Sequence, residues 1–316
     1  MMKIIRLFIL VLISSVLAFG GQQAKSKNRG INKPKNVTDA VKIASPSIVQ
    51  ISAELEIPNP NNPSGRLNVT RVLGTGFLVS KDGYVATAKH VVTLPPNVIL
   101  VDLLVGLPMP NKDSGIFMRG NFQVISSKII AVDPNNDVAL LKCEINPFTN
   151  KSKPIGVING KEISNNSYTV FILDPNRPNE GLQIASSGYP FASSILVTSV
   201  GYLASAWEVN SDQLRSLDFQ YPERGNVYLG DLRVNKGNSG GPVYSVETGY
   251  VIGVCVSYTN ALVILPDQSG GGIPLIIEGK PATYNAGITH ITPIQYVIRL
   301  LNQVKASYQA TAIKQG

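Results

Sequence analysis

The chain is poor in the residues that bind metals or cross-link small folds. It has two cysteines, Cys143 and Cys255, and two histidines, His90 and His290, in 316 residues. Two cysteines cannot build a disulfide scaffold, and neither an H-E-x-x-H motif nor a paired C-x-x-C is present. The sequence therefore argues against a metal site and implies no cofactor. Both cysteines lie in apolar segments, so we expect buried side chains rather than a bridge, although a secreted location would leave pairing open.

The apolar run near the start of the chain is short for a membrane span, which needs about 20 residues. It covers Leu7 to Leu17, follows two basic residues and ends in Ala18-Phe19-Gly20. This pattern predicts a secretory signal over residues 1–20, with an uncleaved anchor as the alternative. Residues 21–37 are polar and basic, which is typical of a flexible linker. We therefore expect a secreted, periplasmic or cell-envelope protein with no stable membrane insertion once the signal is removed.

The folded part of the chain has little net charge, although the whole sequence carries +8. Seven of the 28 basic residues and no acidic residue fall within the first 36 positions, so the remaining 21 are balanced by 20 acidic residues. A body this close to neutral does not predict a nucleic-acid partner. Aromatic residues make up only 7%, against 28 glycines and 21 prolines, which is typical of a turn-rich globular protein.

Many short β-rich segments and little helix predict an all-β protein, and a Lys/Pro/Asn-rich break at about 147–166 divides the strands into two series. A turn of helix from Thr38 to Ala44 precedes them, with Thr38 as its N-cap, and Asn59 to Arg66 reads as a loop. A terminal helix over 293–305 is expected to begin with a capping box, in which Thr292 is the N-cap, Pro293 the first helical residue and Gln295 the third. The predicted strands are Ser47–Leu55, Arg71–Ser80, Tyr84–Ala88, Val98–Val105, Phe122–Val132 and Val138–Cys143, then Tyr168–Leu173, Gln183–Ser187, Ile195–Leu203, Val227–Leu232, Pro242–Ser245, Tyr250–Val256 and Ala286–His290.

A glycine-rich stretch around one serine, Lys236 to Pro242, is the strongest chemical signal in the sequence. Glycines on both sides of Ser239 let its backbone approach another molecule and aim consecutive N–H groups at one point. Such donors stabilise the negative charge on a carbonyl oxygen under attack. The hypothesis is a nucleophilic Ser239 with the N–H groups of Gly237 and Ser239 as an oxyanion hole. The alternative is a glycine-rich turn between strands.

A serine nucleophile needs a base and a carboxylate that orients the base. His90 follows a buried strand and His290 precedes the terminal helix, and either could instead be a core histidine. Asp137 stands directly before an apolar strand, where turn residues are common. Taken together, the three residues form a possible set. The candidate base His90 and the candidate orienting acid Asp137 lie in the first strand series, and the candidate nucleophile Ser239 lies in the second.

Several motifs resemble those of the trypsin-like, chymotrypsin-fold serine proteases, most closely the HtrA/DegP-type branch. The resemblance covers about residues 38–305. It implies two six-stranded antiparallel β-barrels with the site between them, in a protease domain over 38–308 whose barrels span about 45–160 and 165–291. It also implies His90 as general base, Asp137 as its orienting acid and Ser239 as nucleophile. The motifs are Gly74-Thr75-Gly76-Phe77-Leu78-Val79, Thr87-Ala88-Lys89-His90-Val91, Asn136-Asp137-Val138-Ala139-Leu140-Leu141 and Gly237-Asn238-Ser239-Gly240-Gly241-Pro242.

The resemblance also indicates where the substrate lies. In this fold the primary pocket is lined by residues just before the nucleophile and by a later strand, here Arg233, Lys236, Val256, Ser257 and Tyr258. Position 233 carries arginine rather than aspartate, which disfavours a preference for Lys or Arg. Arg233 could select an acidic residue by charge pairing, or it could face solvent beside a shallow pocket for small apolar residues.

The sequence departs from the HtrA branch in two respects. HtrA proteases usually carry a PDZ domain after the protease domain, and we expect this chain to have none. It also has long insertions at about 106–120, 206–226 and 262–285, so the oligomeric state stays open.

The sequence thus predicts a secreted or periplasmic serine endopeptidase that acts on polypeptides through an acyl-enzyme. One alternative is a protease-fold binding or chaperone-like module for envelope polypeptides. The other is an esterase with a G-x-S-x-G elbow, for which Ser239, Asp267 and His290 follow the chain order. That elbow requires a helix directly after the serine, whereas Gly-Gly-Pro and a β-rich segment follow Ser239.

Overall fold

The computed structural model describes residues 33–110, 117–149, 157–158, 161–162, 168–210, 225–266 and 271–313. The predicted signal peptide, most of the predicted linker and parts of all three insertions lie outside these ranges. Within them, no helix combines the length and the apolar character needed to cross a membrane.

The described chain begins with a short helix, α1 (Val37–Ala44), which continues into a 3-10 turn, Ser45–Ser47. Its N-cap is Asn36, whose side-chain oxygen accepts the Asp39 N–H at 3.0 Å. The expectation that Thr38 caps this helix was wrong. Asparagine is an equally good N-cap, and it stands where the backbone is still extended.

Six antiparallel strands form the first barrel, which closes in the order β1-β2-β3-β6-β5-β4. This confirms the six-stranded closure that the motif resemblance implied. The strands are β1 (Ile48–Asn59), β2 (Asn62–Leu78), β3 (Tyr84–Thr87), β4 (Ile99–Pro110), β5 (Phe117–Val132) and β6 (Ala139–Cys143).

The segment from Asn59 to Arg66 was expected to be a loop, and this was wrong. β1 and β2 stay paired from Ile48↔Phe77 out to Asn59↔Asn62, so most of the segment is strand. The Pro and Asn residues that indicated a loop lie in the outer part of a long exposed hairpin. Backbone pairing between two continuous strands outweighed the local preference of these residues.

A second sheet of eight strands, ordered β13-β10-β11-β12-β19-β14-β9-β20, follows. A further pairing of β13 with β14 joins six of these strands into a ring, and β9 and β20 extend the sheet beyond it as parallel additions. The remaining strands of the chain are β7 (Val157–Ile158), β8 (Lys161–Glu162), β9 (Ile172–Leu173), β10 (Gln183–Gly188), β11 (Val197–Asn210), β12 (Asn226–Asp231), β13 (Pro242–Ser245), β14 (Val251–Leu262), β15 (Ile264–Pro266), β16 (Gly272–Pro274), β17 (Ile276–Ile277), β18 (Lys280–Pro281), β19 (Thr283–Pro293) and β20 (Gln309–Ala310).

The insertion at 262–285 is an extension of one hairpin of the second barrel. β14 and β19 pair along their length to Leu262↔Thr283, and two small hairpins, β15–β16 and β17–β18, branch from their end. The insertion at 206–226 lengthens β11, although residues 211–224 lie outside the described ranges.

The terminal helix, α2 (Ile294–Gln303), is two residues shorter at its C-terminal end than expected and begins one residue later. Pro293 is its N-cap residue, and no side chain caps it. The capping box expected from Thr292 is absent, because the buried Thr292 Oγ1 has no hydrogen-bond partner. After the helix, Ser307 donates to the Asp82 carboxylate of the first barrel at 2.6 Å, and β20 pairs with β9.

One apolar core cluster runs from the first barrel across the junction to α2, and a smaller one lies in the second barrel. At the junction, the Phe77 ring meets Phe171 edge to face, with centroids 5.7 Å apart, and Phe122 meets Tyr189 at 5.3 Å. Aromatic pairs in this arrangement contribute beyond their buried area. They hold the two barrels in one fixed arrangement, which is what a site between them requires.

We expect neither cysteine to react with a thiol reagent in the folded protein. Cys143 and Cys255 are both about 1% exposed and form no disulfide, and burial raises the pKa of the Cys143 thiol to about 12. A thiol at that pKa supplies almost no thiolate, which is the reactive form. Titration with a chromogenic disulfide reagent should detect no reactive thiol in the native protein and two thiols per chain after unfolding. A reactive native thiol would contradict this burial.

Candidate active site

His90 lies in a single 3-10 turn, Lys89–Val91, directly after β3. Its neighbour Lys89 ties the turn to the loop before β6, since the Lys89 ammonium donates to the carbonyls of Asp133 and Pro134 at 3.0 and 3.2 Å. The His90 side chain is 32% exposed, so one end of the ring reaches solvent while the other is enclosed.

Asp137 holds His90 at two points. Its Oδ2 lies 2.6 Å from His90 Nδ1, and its Oδ1 accepts the backbone N–H of His90 at 2.9 Å. The carboxylate is 3% exposed. A carboxylate that accepts a hydrogen bond from Nδ1–H fixes the ring tautomer with Nε2 unprotonated, which is what a general base needs. The structure therefore joins the predicted base to the predicted orienting acid.

The loop that carries Asp137 is held by another acid, which sequence reasoning did not single out. The Asp133 Oδ1 accepts the backbone N–H groups of Asn135 and Asn136 at 2.9 and 2.8 Å, and the Asn136 amide at 3.1 Å. The signal for this was available in the sequence, because Asp-Pro-Asn-Asn is typical of an Asx-stabilised turn.

The serine loop has each carbonyl from Lys236 to Ser239 bound by a donor. Lys236 O accepts Phe191 N–H at 2.7 Å and Asn238 O accepts Gly241 N–H at 2.9 Å. The remaining two carbonyls, of Gly237 and Ser239, accept from the hydroxyl and the backbone N–H of Thr75 at 2.7 and 2.9 Å. Gly237 and Gly240 have φ of +100° and +85°, which favours glycine at both positions.

These bonds decide where the neighbouring N–H groups point. In a trans peptide the C=O and N–H lie on opposite sides. Anchoring Lys236 O and Asn238 O therefore aims the N–H groups of Gly237 and Ser239 away from those anchors. Within the described residues neither of these two N–H groups donates a hydrogen bond, whereas those of Asn238, Gly240 and Gly241 all do. Two unengaged donors beside a serine hydroxyl can receive an oxyanion.

Ser239 is packed against the part of the first barrel that carries His90. A Cβ added at Gly240 would lie 2.9 Å from the Ala88 nitrogen, two residues before His90. The Ser239 hydroxyl donates to the Val256 carbonyl at 3.3 Å and is not hydrogen-bonded to the His90 ring. The structure thus joins base to acid, and packs the serine loop against the segment that precedes His90, with the hydroxyl directed at β14.

A family model of the trypsin-like peptidase domain matches residues 74–254. The chain belongs to the trypsin-like peptidase family. The matched region begins in β2 and ends in β14, so it spans both barrels and includes His90, Asp137 and Ser239.

Curated relatives of this trypsin-like peptidase carry the description probable periplasmic serine endoprotease DegP-like. One, from Ectopseudomonas mendocina (strain ymp), is 26% identical over 259 residues, which is 82% of this chain and 40% of the relative. Another, from Brucella suis biovar 1 (strain 1330), is 28% identical over 209 residues, covering 66% and 31%. The chain spans less than half the length of these two relatives.

The fold is similar to that of a solved HtrA-type protease, AlgW with decapeptide. The TM-score is 0.54 at 17% identity, and the alignment covers 85% of this chain and 67% of that one. Likeness at this identity concerns the fold alone, and it agrees with the two-barrel architecture expected from the sequence.

The residues predicted to line the primary pocket fall into exposed and buried groups. Arg233 and Lys236 are exposed, Val256 and Ser257 are buried, and Tyr258 is half-buried. On either side of Arg233, Leu232 and Val234 are both about 1% exposed. In an extended segment, successive side chains face opposite ways. Arg233 therefore faces solvent while its two neighbours face the interior.

Polar side chains from other strands hold the segment around Arg233. Ser199 donates to the Arg233 carbonyl, Thr289 to Leu232 O at 2.7 Å and Asn285 to Val234 O at 2.6 Å. Sequence reasoning missed these three, because each lies more than 30 residues from its partner and carries no motif.

The second histidine has a structural environment. His290 is 5% exposed, and its Nδ1 and Nε2 lie 2.9 and 3.0 Å from the hydroxyls of Ser257 and Thr259 on β14. A strand, β13, begins three residues after Ser239, where an esterase elbow would need a helix. The esterase alternative was therefore wrong. Asp267, its third member, lies outside the described residues. No cluster of three or more potential metal ligands occurs in the described ranges.

Proposed function

We propose that this chain is a serine endopeptidase that cleaves polypeptides through an acyl-enzyme. The observation that carries the proposal is the pair of unengaged N–H groups, at Gly237 and Ser239, on a loop whose four carbonyls are all anchored. Such donors are pre-aimed, so stabilising the oxyanion costs little reorganisation. The two-point hold of Asp137 on His90 supplies the matching base.

The proposed reaction follows from these positions. Ser239 Oγ attacks the carbonyl carbon of the scissile bond while His90 Nε2 takes the hydroxyl proton. The resulting oxyanion binds the N–H groups of Gly237 and Ser239, and Asp137 stabilises the imidazolium. His90 then gives the proton to the departing amine as the C–N bond breaks. In the second half, His90 deprotonates a water that attacks the ester, and Ser239 is regenerated.

The first step requires the Ser239 side chain to turn from Val256 O to His90 Nε2. Catalytic hydrogen bonds in structures without substrate are often long or poorly aligned and form in the Michaelis complex. Rotation about one Cα–Cβ bond is a motion that a partly exposed side chain completes within nanoseconds. It would not limit the rate of turnover.

We propose a secreted or periplasmic location for this peptidase. The support is the signal pattern over residues 1–20 and the basic linker over 21–37. The curated relatives are described as probable periplasmic proteins.

A protease-fold binding module is the competing proposal, and one observation favours it. The Ser239 hydroxyl donates to Val256 O rather than to His90. If it kept this orientation when substrate is bound, the protein would bind polypeptides without cleaving them. A fluorophosphonate probe separates the two, because only an activated serine reacts with it. The peptidase proposal expects labelling of one site, Ser239, and hydrolysis of casein. An unlabelled, folded protein that holds casein uncleaved would favour the binding module.

The primary pocket is proposed to take small apolar residues, and Arg233 should matter little to it. Because Arg233 faces solvent, Arg233→Ala should change kcat/KM by less than about threefold, the scale of a lost surface charge. Two matched peptides, with Val or Glu before the scissile bond, should respond alike. Arg71→Ala, an exposed arginine on β2, is the control. A loss above tenfold that is confined to the Glu peptide would show that Arg233 selects an acidic residue.

A further inference from the structure

Thr75 links the first barrel to the serine loop through its hydroxyl and its backbone N–H. It is fully buried, in β2. Its hydroxyl donates to Gly237 O at 2.7 Å and accepts the Tyr189 N–H at 2.9 Å. Its backbone N–H donates to Ser239 O at 2.9 Å, and its carbonyl accepts the Thr87 hydroxyl at 2.7 Å. Three of these four bonds reach residues more than 110 positions away in sequence.

The hydroxyl of Thr75 has a fixed orientation. A hydroxyl carries one proton and two lone pairs. The Tyr189 N–H can only donate and Gly237 O can only accept, so the proton must point at Gly237 O and a lone pair at Tyr189. Serine could make the same two bonds, whereas valine, which has the same shape, could make neither. This separates the hydroxyl from the volume of the side chain in an experiment.

The two bonds to Gly237 O and Ser239 O complete the anchoring of the loop. The other two loop carbonyls are held by Phe191 N–H and Gly241 N–H. Each peptide group is planar, so fixing a carbonyl fixes the N–H of the next residue. Releasing Gly237 O leaves the peptide plane between the two oxyanion donors held only by the Asn238 N–H, which donates to Asn235 O at 3.0 Å. That plane joins the two peptide groups that carry the donors, so its orientation constrains the angle between them.

The backbone around Thr75 is closely packed, which restricts the position of the serine loop. An added Cβ at Gly188 would lie 2.8 Å from Thr75 Oγ1, and one at Gly240 would lie 2.1 Å from Thr75 O. The backbones of three segments therefore meet around this one side chain. Tyr189, whose N–H bonds the hydroxyl, lies two residues before Phe191, whose N–H anchors Lys236 O.

We propose that the Thr75 hydroxyl is the positioning group that sets the oxyanion hole, acting through Gly237 O and Tyr189 N. The inference rests on the proposed peptidase function. Thr75 touches no reacting atom. Its effect is to keep the Gly237 and Ser239 donors converged on one point, so its loss should be felt when the oxyanion forms and hardly at all when substrate binds.

The test compares Thr75→Val with Thr75→Ser in the full chain. Removing one oxyanion donor typically lowers kcat about 10²–10³-fold. We expect Thr75→Val, which displaces donors without deleting them, to lower kcat at least about tenfold on a chromogenic peptide, with KM within about threefold. Thr75→Ser should restore kcat to within about threefold of the parent.

A transition-state analogue gives a readout that general destabilisation would not move. A peptidyl boronic acid forms a tetrahedral adduct with serine and places an oxygen in the oxyanion hole, so its inhibition constant follows transition-state binding. In Thr75→Val that constant should rise in parallel with the loss of kcat/KM, while KM for the matching peptide stays level. Ser127→Ala is the control, since it removes a buried first-barrel hydroxyl that donates to Leu103 O at 3.0 Å. It should lower the melting temperature and leave both constants unchanged.

Two outcomes would overturn the inference. One is a folded Thr75→Val with kcat and boronate affinity like those of the parent. The other is a loss of kcat that tracks the melting temperature equally in Thr75→Val and Ser127→Ala. If Thr75→Val does not fold, Thr75→Cys supplies a side chain of similar size with a weak donor, and the same comparison applies. Failure of the proposed function would be seen differently, as a parent protein that neither cleaves peptide nor reacts at Ser239.

Discussion

Ser239→Ala is expected to abolish peptide hydrolysis, with kcat falling about 10⁶-fold, the scale seen when a triad nucleophile is removed. Alanine keeps the loop backbone and both oxyanion donors but offers no oxygen to form the ester. Fluorophosphonate labelling should disappear with the activity. The melting temperature should stay close to that of the parent, because the hydroxyl makes a single 3.3 Å bond, to Val256 O.

Ser186→Ala is the matched control for this substitution. Ser186 is buried, in β10, and its hydroxyl has no hydrogen-bond partner among the described residues. Its removal should leave activity, labelling and stability unchanged. Labelling that survives in Ser239→Ala would place the reactive serine elsewhere and end the proposal of Ser239 as nucleophile.

Asp137→Asn is expected to lower kcat about 10⁴-fold while leaving the fold intact. One oxygen of the carboxylate accepts a hydrogen bond from His90 Nδ1–H, and the other accepts one from the His90 backbone N–H. An amide has one oxygen and one NH₂, so it can accept only one of them. If the oxygen stays with the backbone N–H, the NH₂ faces Nδ1 and forces the tautomer that carries its proton on Nε2. That tautomer cannot take a proton from Ser239. Steady-state kinetics and the rate of fluorophosphonate labelling should fall together.

Asp82→Asn is the control for replacing a carboxylate. Asp82 lies in the β2–β3 turn, and a hydrogen bond from the Ser307 hydroxyl holds the pKa of its carboxyl below the usual range. A lowered folded-state pKa stabilises the protein above the unfolded-state pKa, and that stabilisation is lost as pH falls through the folded-state value. Asp82→Asn should therefore reduce the acid dependence of stability and leave kcat unchanged. Equal kcat for Asp137→Asn and the parent would remove Asp137 from the mechanism.

Strand alternation and the motifs around His90, Asp137 and Ser239 carried most of what could be predicted from the sequence. The two strand series are consistent with the closed first barrel and the ring in the second. The His90–Asp137 contact was implied by the resemblance of two motifs 47 residues apart to those of the trypsin-like proteases. Strand periodicity could be predicted because it is encoded in neighbouring residues.

Features that depend on distant partners were not predictable. Thr75 lies within the Gly74–Val79 motif, yet its proposed role depends on a bond to Gly237, 162 residues later. The cap of α1 was missed for a local reason, since Asn36, two positions before Thr38, accepts the N–H of Asp39. The strand β20 joins the second sheet from a segment of two residues, too short to show alternation, and the predicted strand Tyr168–Leu173 contracts to the two residues of β9. For Thr75 and β20, contacts with residues distant in sequence determined the outcome.

The apolar cluster that crosses the barrel junction bears on how this protein folds and on how it could be recombined. Because the same buried side chains serve the first barrel, the junction and α2, the two barrels share one thermodynamic unit and should melt in a single cooperative transition. Neither barrel is therefore expected to be exchangeable on its own. A hybrid made by joining halves from two relatives would have to carry matching side chains on both faces of the seam.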